Sequence, residues 1–346
     1  MTTRALAAMA AGVDLVPFEF YRRQVGPGDV RIEITHSGVC HSDIHIVGGE
    51  WGDQQFPIVP GHEIVGRVAA VGSDVTEFAP GDLAGVGVYV DSCRECPNCQ
   101  AGESNSCHQG MTGTYAAPDR RHGGFTQGGY ASDIVVDHGY VVHVPESLDP
   151  AGAAPLLCAG ITLFAPLSRF KAGPGKRVGI IGLGGLGHMG VKFAHAMGAE
   201  VTVISHSPGK EADAKKLGAD HFLLSTDQEQ MDAHRYSFDL LINTVSVPIN
   251  VNSYLELLDF RGTLVMVGLA GEPYCFDAPV ILNQGRSITG SMIGPVSQLQ
   301  EMLNFSAEHG IHSEIEMITA DYINTAYKRV IDSDVRYRFV IDASTI

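Results

Sequence analysis

The pattern of apolar and polar positions changes along the chain near residue 150. Before it, short apolar runs such as VRIEITHSGV, IVPGHEIVGRVAAVG and FAPGDLAGVGVYV lie between residues 28 and 90 and are interrupted by glycine and proline. Short runs broken in this way are typical of β-strands joined by turns. This part of the chain is therefore predicted to form a twisted, partly barrel-like β domain.

From about Ala151 the apolar runs alternate with helical patterns. The stretch RVGIIGLGGLGHMGVKFAHAMGAEVTVIS predicts a strand, a glycine turn, a helix and a second strand. FDLLINTV, GTLVMVGL and SITGSMIG are further candidates for buried strands, VSQLQEMLNFSAEHG is a candidate helix, and YRFVID predicts a closing strand. Alternating β and α elements favour a parallel, doubly wound sheet.

Length, charge and hydropathy restrict the classes of function. A chain of 346 residues is long enough for two domains, and 45% apolar residues are ample for packed cores. The net charge of -16 argues against nucleic acid and anionic membranes as partners, because both attract basic surfaces. The sequence contains no uninterrupted run of about 18 apolar residues, so no membrane span is predicted. The N-terminal apolar run is broken by Asp14 and lacks the basic start of a secretory signal. A cytoplasmic protein is expected.

A glycine-rich turn follows the apolar strand Val178–Ile181. The residues GLGGLG, 182–187, supply the spacing G-x-G-x-x-G between a strand and a helix. In dinucleotide-binding folds the first glycine permits the turn, the second admits the pyrophosphate, and the third lets helix and strand pack closely. A glycine turn without a nucleotide is the alternative, but the strand–turn–helix–strand context favours a bound dinucleotide.

The end of the second strand bears on which dinucleotide binds. NAD-binding chains usually carry an acid there that accepts hydrogen bonds from the ribose, whereas this chain has Ser205, His206 and Ser207. Ser207 is predicted to cap a helix that begins at Pro208, and Lys210 brings a cation to the same region. A 2′-phosphate, and hence NADP over NAD, is favoured; a solvated Lys210 is the alternative for that residue.

Four cysteines cluster in CRECPNCQAGESNSC, as Cys93, Cys96, Cys99 and Cys107. Four thiolates within fifteen residues suit a closed, tetrahedral structural zinc site, with an iron–sulfur cluster as the competing interpretation. An odd total of seven cysteines does not indicate a disulfide framework. Metal binding is therefore predicted for this segment.

A second set of metal-binding side chains is dispersed. Cys40 lies in GVCHSDIH, His62 and Glu63 lie in VPGHEIVG, and Cys158 lies in LLCAGIT. Each alone is uninformative, but two cysteines and one histidine match the ligand set of a catalytic zinc that keeps one position open. Together with a nicotinamide site, the combination is a much stronger indication of catalytic zinc than either feature alone.

These motifs, together with GSMIG and YRFVID, resemble the zinc-dependent medium-chain alcohol dehydrogenases over nearly the whole chain. The resemblance is to the cinnamyl alcohol dehydrogenase-like group of NADP-dependent aldehyde reductases. It implies a β-rich, GroES-like catalytic domain, residues 1–150 and 295–346, with a structural zinc lobe at 91–108. A doubly wound Rossmann domain, residues 151–294, would be inserted between the two parts. Two Zn²⁺ per chain, NADP(H), and a homodimer joined through the nucleotide domain are also implied.

The resemblance assigns roles to individual residues. Cys40, His62 and Cys158 would ligate the catalytic zinc, with Glu63 as a transient ligand and Asp43 orienting His62. The other assignments are Ser42 and His45 as a proton relay, His41 near the pyrophosphate, Thr162 near the nicotinamide, Arg338 at the cofactor phosphates, and Trp51 at the substrate cleft or, alternatively, only at its rim or in the core. The full set of predicted cofactor-binding residues is His41, Thr162, Gly182, Gly184, Gly185, Leu186, Gly187, Ser205, His206, Ser207, Lys210, Thr244, Val267, Gly268, Ser291, Ile293 and Arg338.

The expected reaction is hydride transfer between NADP(H) and an aldehyde/primary alcohol pair, mainly as aldehyde reduction. The family association favours substrates with an aromatic or apolar aliphatic tail. A zinc dehydrogenase acting on a polyol or an amino-acid alcohol is one alternative. A non-catalytic NADPH-binding protein on the same scaffold is the other.

Overall fold

The computed structural model describes residues 2–346. Its strands are β1 (Thr2–Ala7), β2 (Val16–Tyr21), β3 (Asp29–Gly38), β4 (Ile64–Val71), β5 (Leu83–Val86), β6 (Tyr89–Asp91), β7 (Thr112–Gly113), β8 (Asp133–Asp137), β9 (Val142–His143), β10 (Arg177–Ile181), β11 (Glu200–Ser205), β12 (His221–Leu224), β13 (Phe238–Asn243), β14 (Leu258–Met266), β15 (Ser287–Gly290), β16 (Ile315–Ile318) and β17 (Arg338–Asp342). Its helices are α1 (His41–Gly48), α2 (Pro97–Gln100), α3 (Pro150–Ala153), α4 (Ala159–Arg169), α5 (Gly187–Ala196), α6 (Glu211–Lys216), α7 (Gln228–Ala233), α8 (Val251–Leu255), α9 (Ala278–Leu282), α10 (Val296–His309) and α11 (Ile323–Ile331).

The chain forms two compact units. Of the described residues, the first contains those up to 161 and residues 294–346, and the second contains residues 162–293. The predicted boundaries were residues 150 and 295, so the observed first boundary lies later in the chain. The reason is that α3 and the 3₁₀ turn Ala154–Leu157 pack on β3 and β4 of the first unit. Cys158 consequently belongs to the same unit as Cys40 and His62.

The first unit is built on a largely antiparallel sheet. Its strand order is β16-β17-β3-β4-β5-β9, with β8 paired to β3, and β16 pairs with β17 in parallel. Two small ladders, β1–β2 and β6–β7, accompany it. One core joins β17 and the helices α1 and α11, through buried side chains such as Ile44, Val47, Ile323 and Phe339. This packing fixes the position of α1, which begins directly after Cys40.

The second unit is a six-stranded parallel sheet. Its order is β12-β11-β10-β13-β14-β15, and each neighbouring pair is parallel. The order reverses direction beside β10, where loops from the carboxyl ends of β10 and β13 diverge. In such sheets the ligand crevice lies outside the carboxyl ends of the strands at this point. The predicted doubly wound arrangement is therefore present, with the predicted strands at β10, β11, β13, β14 and β15.

Among the elements that were not predicted from the sequence are the β1–β2 hairpin, β12 and α7.

Within residues 2–346 no single helix has both the length and the apolar composition needed to cross a membrane. Only a pair of segments bent by 59°, Pro150–Leu157 and Ala159–Arg169, reaches these limits when taken together.

Candidate active site and metal centres

Three distant segments bring a metal-ligating cluster together in the first unit. The side chains of Cys40, His62, Glu63 and Cys158 are buried, and one ligand atom from each lies within 4.8 Å of the others. The Sγ atoms of Cys40 and Cys158 are 3.9 Å apart, and Nε2 of His62 is 3.3 Å from Sγ of Cys158. Cys40 precedes α1, His62 precedes β4, and Cys158 precedes α4.

This donor set fits a tetrahedral zinc ion. With Zn–S bonds of about 2.3 Å, two cysteine ligands of a tetrahedron lie about 3.8 Å apart, close to the observed Sγ–Sγ distance. A hydrogen bond with the Cys158 thiol lowers the pKa of Cys40 well below its usual value. A thiol that gives up its proton readily is suited to metal ligation, because the thiolate is the ligand.

Glu63 lies beside the three ligands and is fully buried. Arg338 donates a hydrogen bond from Nη2 to Oε1 of Glu63, whereas Oε2 has no hydrogen-bond partner within residues 2–346. Burial raises the pKa of Glu63 to about 7, although the charge of Arg338 opposes this shift. Oε2 is therefore available as an oxygen ligand next to the cluster, and the role of Glu63 as a transient zinc ligand stays a prediction.

Arg338, which the resemblance places at the cofactor phosphates, forms an ion pair with Glu63. The residue begins β17, and its guanidinium is buried in the ion pair with Glu63. A buried carboxylate needs a charged partner, and Arg338 provides it. A role of Arg338 toward a cofactor stays a prediction.

Asp43, predicted to orient His62, forms a hydrogen bond with the imidazole ring. The Nδ1–H of His62 donates to Oδ1 of Asp43 at 3.0 Å, so Nε2 is the nitrogen that faces the cysteines. Burial alone would lower the pKa of His62, but the Asp43 carboxylate raises it well above its usual value. A carboxylate on the second ring nitrogen fixes the tautomer and direction of a ligating histidine.

The helix α1 carries the predicted relay residues Ser42 and His45. Three positions separate them, so they lie on neighbouring parts of one helix face. Nδ1 of His45 is 2.6 Å from Oε2 of Glu50, a carboxylate that the sequence interpretation missed. Glu50 could have been suspected because it follows α1 within a few residues of His45.

Three rings stack along this helix. The His45 ring lies between His41, with a centroid distance of 4.8 Å, and Trp51, with a centroid distance of 5.0 Å. The Trp51 side chain is 43% exposed, so it is not a core residue. Trp51 therefore covers the predicted relay histidine, whether or not it also contacts a substrate.

The four clustered cysteines converge separately. Ligand atoms of Cys93, Cys96, Cys99 and Cys107 all lie within 4.8 Å of one another, and all four are free thiols. Backbone N–H groups of His108 and Cys99 lower the pKa of Cys96 to about 6. The Sγ atoms of Cys93 and Cys99 are 3.9 Å apart, again close to the spacing of about 3.8 Å in a tetrahedral zinc site.

The glycine turn of the second unit has the geometry of a dinucleotide site. Gly182 has φ of 91°, and a side chain at Gly187 would collide with the carbonyl of Gly182. At Gly184 an added Cβ would meet no atom within 4 Å, which leaves room for a ligand. Gly185 and Leu186 complete the turn. Leu186 is the N-cap of α5, and its side chain accepts no hydrogen bond from the N–H groups of the first helical turn. The free N–H groups of a helix N-terminus attract phosphate.

The residues after β11 lie beside this turn. Lys210 donates from Nζ to the carbonyl of Leu183 at 2.8 Å, so its cation reaches the glycine turn. The prediction that Ser207 caps a helix beginning at Pro208 was partly wrong. Pro208–Lys210 form a 3₁₀ turn, Ser207 makes no side-chain capping bond, and its N–H donates to Oγ of Ser205 instead. The α-helix, α6, begins at Glu211.

The remaining predicted cofactor residues follow the carboxyl ends of neighbouring strands. Thr244 follows β13 and bonds the carbonyl of Ile181, while the N–H groups of Val267 and Gly268 donate to the carbonyl of Asn243. The others are His206 after β11, Ser291 and Ile293 after β15, and Thr162 on α4, four residues beyond Cys158. Their contacts with a cofactor stay predictions.

Comparisons with known proteins agree with this architecture. The model of the alcohol dehydrogenase GroES-like domain matches residues 26–146, and that of the zinc-binding dehydrogenase domain matches residues 185–308. The chain is 53% identical to NADP-dependent alcohol dehydrogenase C 1 of Mycolicibacterium smegmatis, with 100% of this chain and 99% of that protein covered. It is 50% identical to aldehyde reductase YahK of Escherichia coli, with the same coverage.

A solved structure agrees as closely. A cinnamyl alcohol dehydrogenase from Sorghum bicolor superposes with a TM-score of 0.96 at 46% identity, covering 99% of this chain and 98% of that one. The fold class predicted from the sequence, a GroES-like domain with a Rossmann domain, is confirmed. The chain therefore belongs to the zinc-dependent medium-chain alcohol dehydrogenases, in their cinnamyl alcohol dehydrogenase-like group.

Proposed function

We propose that this oxidoreductase reduces aldehydes to primary alcohols with NADPH, using a catalytic zinc ion and a second, structural zinc ion. The observation that carries the proposal is the convergence of Cys40, His62 and Cys158 in one buried cluster of the first unit. Two cysteines and a histidine form the ligand set of zinc dehydrogenases. A protein that only bound NADPH would have no need of such a set.

The catalytic zinc ion and the cofactor would have different tasks. Cys40, His62 and Cys158 would hold a zinc ion that supplies Lewis acidity to the carbonyl oxygen, and NADPH would supply the hydride. Asp43 keeps Nε2 of His62 directed at the metal position. The four-cysteine set of the lobe at 91–108 is closed, which suits a structural role.

Proton delivery falls to α1. The Ser42 hydroxyl gives its proton to the oxygen of the nascent alcohol, and His45 restores that proton from solvent. Because Nδ1 of His45 is committed to Glu50, proton exchange with Ser42 takes place at Nε2. Glu50 holds the ring orientation that this exchange needs.

Replacing His45 by alanine is expected to lower kcat about a hundredfold, the lower end of the range that a general acid–base group contributes. The pH profile of kcat should change, and added imidazole should restore part of the rate. Glu50→Gln keeps the size of the carboxylate and should give a smaller loss with the same change of profile. An unchanged pH profile in His45→Ala would remove this residue from the relay.

NADP preference is supported by the residues beyond β11. Ser205 stands where an acid would repel a 2′-phosphate, and Lys210 places a cation at the glycine turn. Relatives with 53% and 51% identity are named NADP-dependent alcohol dehydrogenases. NADP pools usually serve reduction, which favours the aldehyde-reducing direction.

An apolar or aromatic substrate tail is supported by Trp51 and by the group to which the chain belongs. The indole is partly exposed and stacks on His45, so one face of the relay is aromatic. A polyol or an amino-acid alcohol needs polar groups around its tail. The relative from Escherichia coli is named an aldehyde reductase.

A homodimer is supported by the outer edge of the nucleotide-binding sheet. Within residues 2–346, β15 has a strand partner on one side only, and Leu269, Leu282 and Met292 are exposed in the same unit. Pairing of β15 with its copy would cover an open edge, which otherwise invites association. Light scattering should give twice the mass of one chain; the mass of a single chain would contradict the dimer.

A cytoplasmic location is supported by the free cysteines, since reducing compartments keep thiols unpaired.

The test of the function is an aldehyde panel measured by NADPH oxidation. Cinnamaldehyde, benzaldehyde and hexanal should be reduced at higher kcat/KM than a keto sugar or an amino aldehyde. The reverse order, with the polar substrates preferred, would favour the polyol or amino-acid alcohol alternative. Binding of NADPH without turnover of any member would favour the non-catalytic alternative.

A further inference from the structure

A buried tyrosine from a distant part of the chain reaches the predicted catalytic site. The hydroxyl of Tyr130 donates to Oδ2 of Asp43 at 3.0 Å, across 87 positions of sequence. Both side chains are fully buried. Asp43 is the residue that orients His62, so Tyr130 stands one step behind the metal ligand.

The carboxylate of Asp43 receives two hydrogen bonds on each oxygen. Oδ1 accepts from Nδ1–H of His62 and from the N–H of Gly61, and Oδ2 accepts from the N–H of Cys40 and from Tyr130. A buried carboxylate that loses a donor pays a desolvation cost, and its geometry relaxes toward other partners. The Tyr130 hydroxyl therefore helps to define where both Asp43 oxygens lie.

The Tyr130 ring is held by the segment that carries His62. The N–H of Tyr130 donates to the carbonyl of Pro60, and that of Gly129 donates to the carbonyl of Gly61, both at 2.9 Å. Gly61 has φ of 101°, and a Cβ there would lie 2.5 Å from Cδ1 of Tyr130. Ring and backbone are thus in close contact directly before the ligand.

Arg22 holds the segment that carries Tyr130. Its guanidinium donates to the carbonyls of Gln127 at 2.6 Å, Gly128 at 2.7 Å and Asp133 at 3.1 Å. These carbonyls flank Tyr130 on both sides in sequence. The hydroxyl is consequently placed by a rigid frame rather than by a mobile loop.

We propose that Tyr130 is a positioning residue of the catalytic metal site, acting through Asp43 on His62. Its hydroxyl fixes the Asp43 carboxylate, and the carboxylate fixes the imidazole so that Nε2 stays directed at the position shared with Cys40 and Cys158. The inference rests on the proposed function, because it requires a metal at this cluster. Tyr130 is thus a further partner, behind Asp43, which bonds the metal ligand His62 directly.

Another tyrosine provides a matched control. Tyr327 is buried in the same core as Tyr130, with a ring-centroid distance of 6.5 Å. The four hydrogen bonds to the Asp43 carboxylate come from Cys40, Gly61, His62 and Tyr130, and none comes from the Tyr327 hydroxyl. Tyr327→Phe therefore removes a buried hydroxyl from the same core without removing a hydrogen bond to the Asp43 carboxylate.

The experiment measures zinc release from the loaded protein into excess EDTA, with a colorimetric indicator for the metal. Tyr130→Phe is expected to release one of its two zinc ions about tenfold faster than the unsubstituted protein, because partners behind a ligand affect metal affinity to about this extent. The second zinc ion, in the four-cysteine lobe, should leave at the unchanged rate, and Tyr327→Phe should match the unsubstituted protein. Thermal unfolding of both variants verifies that they are folded.

A double-substitution cycle with Asp43→Asn separates positioning from general packing. If Tyr130 acts through Asp43, Tyr130→Phe adds little to the release rate of Asp43→Asn; independent effects would multiply. Multiplying effects, or a Tyr130→Phe protein that releases both zinc ions at unchanged rates, would overturn the inference. An unsubstituted protein that holds no zinc at Cys40, His62 and Cys158 would instead overturn the proposed site itself.

Discussion

Cys40→Ala is expected to lower kcat/KM for aldehyde reduction by at least about a thousandfold. A Lewis acid at the carbonyl oxygen supplies several kcal/mol of transition-state stabilisation, and a factor of a thousand corresponds to about 4 kcal/mol. Removing one of two thiolates from a three-ligand set leaves His62 and Cys158, too few to hold zinc firmly. The variant should therefore contain one zinc ion per chain, retained in the four-cysteine lobe.

Cys275→Ala provides the control for this substitution. Cys275 is an exposed, free cysteine outside both metal clusters, so its loss should change neither the zinc content nor the rate. Steady-state kinetics and metal analysis of the same samples make the comparison. Near-normal turnover in a Cys40→Ala protein that lacks the catalytic zinc would refute the metal-dependent scheme.

The second large effect is expected at the cofactor. Ser205→Asp should lower kcat/KM for NADPH about a hundredfold and raise the value for NADH. Two unit charges about 4 Å apart at an effective dielectric near 20 interact by roughly 4 kcal/mol, and each 1.4 kcal/mol is about tenfold in affinity. Partial screening by solvent reduces this energy, so about a hundredfold is the expected size.

Lys210→Met tests the same site by removing a positive charge instead of adding a negative one. Losing the cation near the glycine turn should weaken NADPH binding about tenfold and leave NADH binding nearly unchanged. Lys215→Met is the matched control, because Lys215 lies on α6 in an exposed pair with Glu211. A ratio of NADPH to NADH efficiency that is the same in Ser205→Asp and the unsubstituted protein would exclude the 2′-phosphate site proposed here.

Most of the fold and of the metal sites could be predicted from local sequence patterns. The strand before the glycine turn, the turn and α5 follow one another within 20 residues, so short-range periodicity was sufficient to predict them. The four cysteines of the lobe are likewise close in sequence. Cys40 and Cys158 are 118 positions apart, so the sequence grouped them with His62 only by ligand chemistry and family likeness, and the structure brings their Sγ atoms to 3.9 Å.

What the sequence could not supply were contacts between distant segments. The partner of Arg338 is Glu63, 275 positions earlier, and neither residue has a neighbour in sequence that indicates the pair. Tyr130 could not be linked to Asp43 for the same reason. The pair Ser207-Pro208 predicts a helix cap, but the Oγ of Ser205 accepts the N–H of Ser207, and a 3₁₀ turn replaces the first helical turn.

The most direct test of the central claim combines metal analysis with turnover on one sample. We expect two zinc ions per chain and aldehyde reduction that is faster with NADPH than with NADH. Removing one zinc ion by chelation should abolish this activity, and adding zinc should restore it. Full turnover without zinc, or oxidation of NADH at an equal or higher rate, would refute the proposed function.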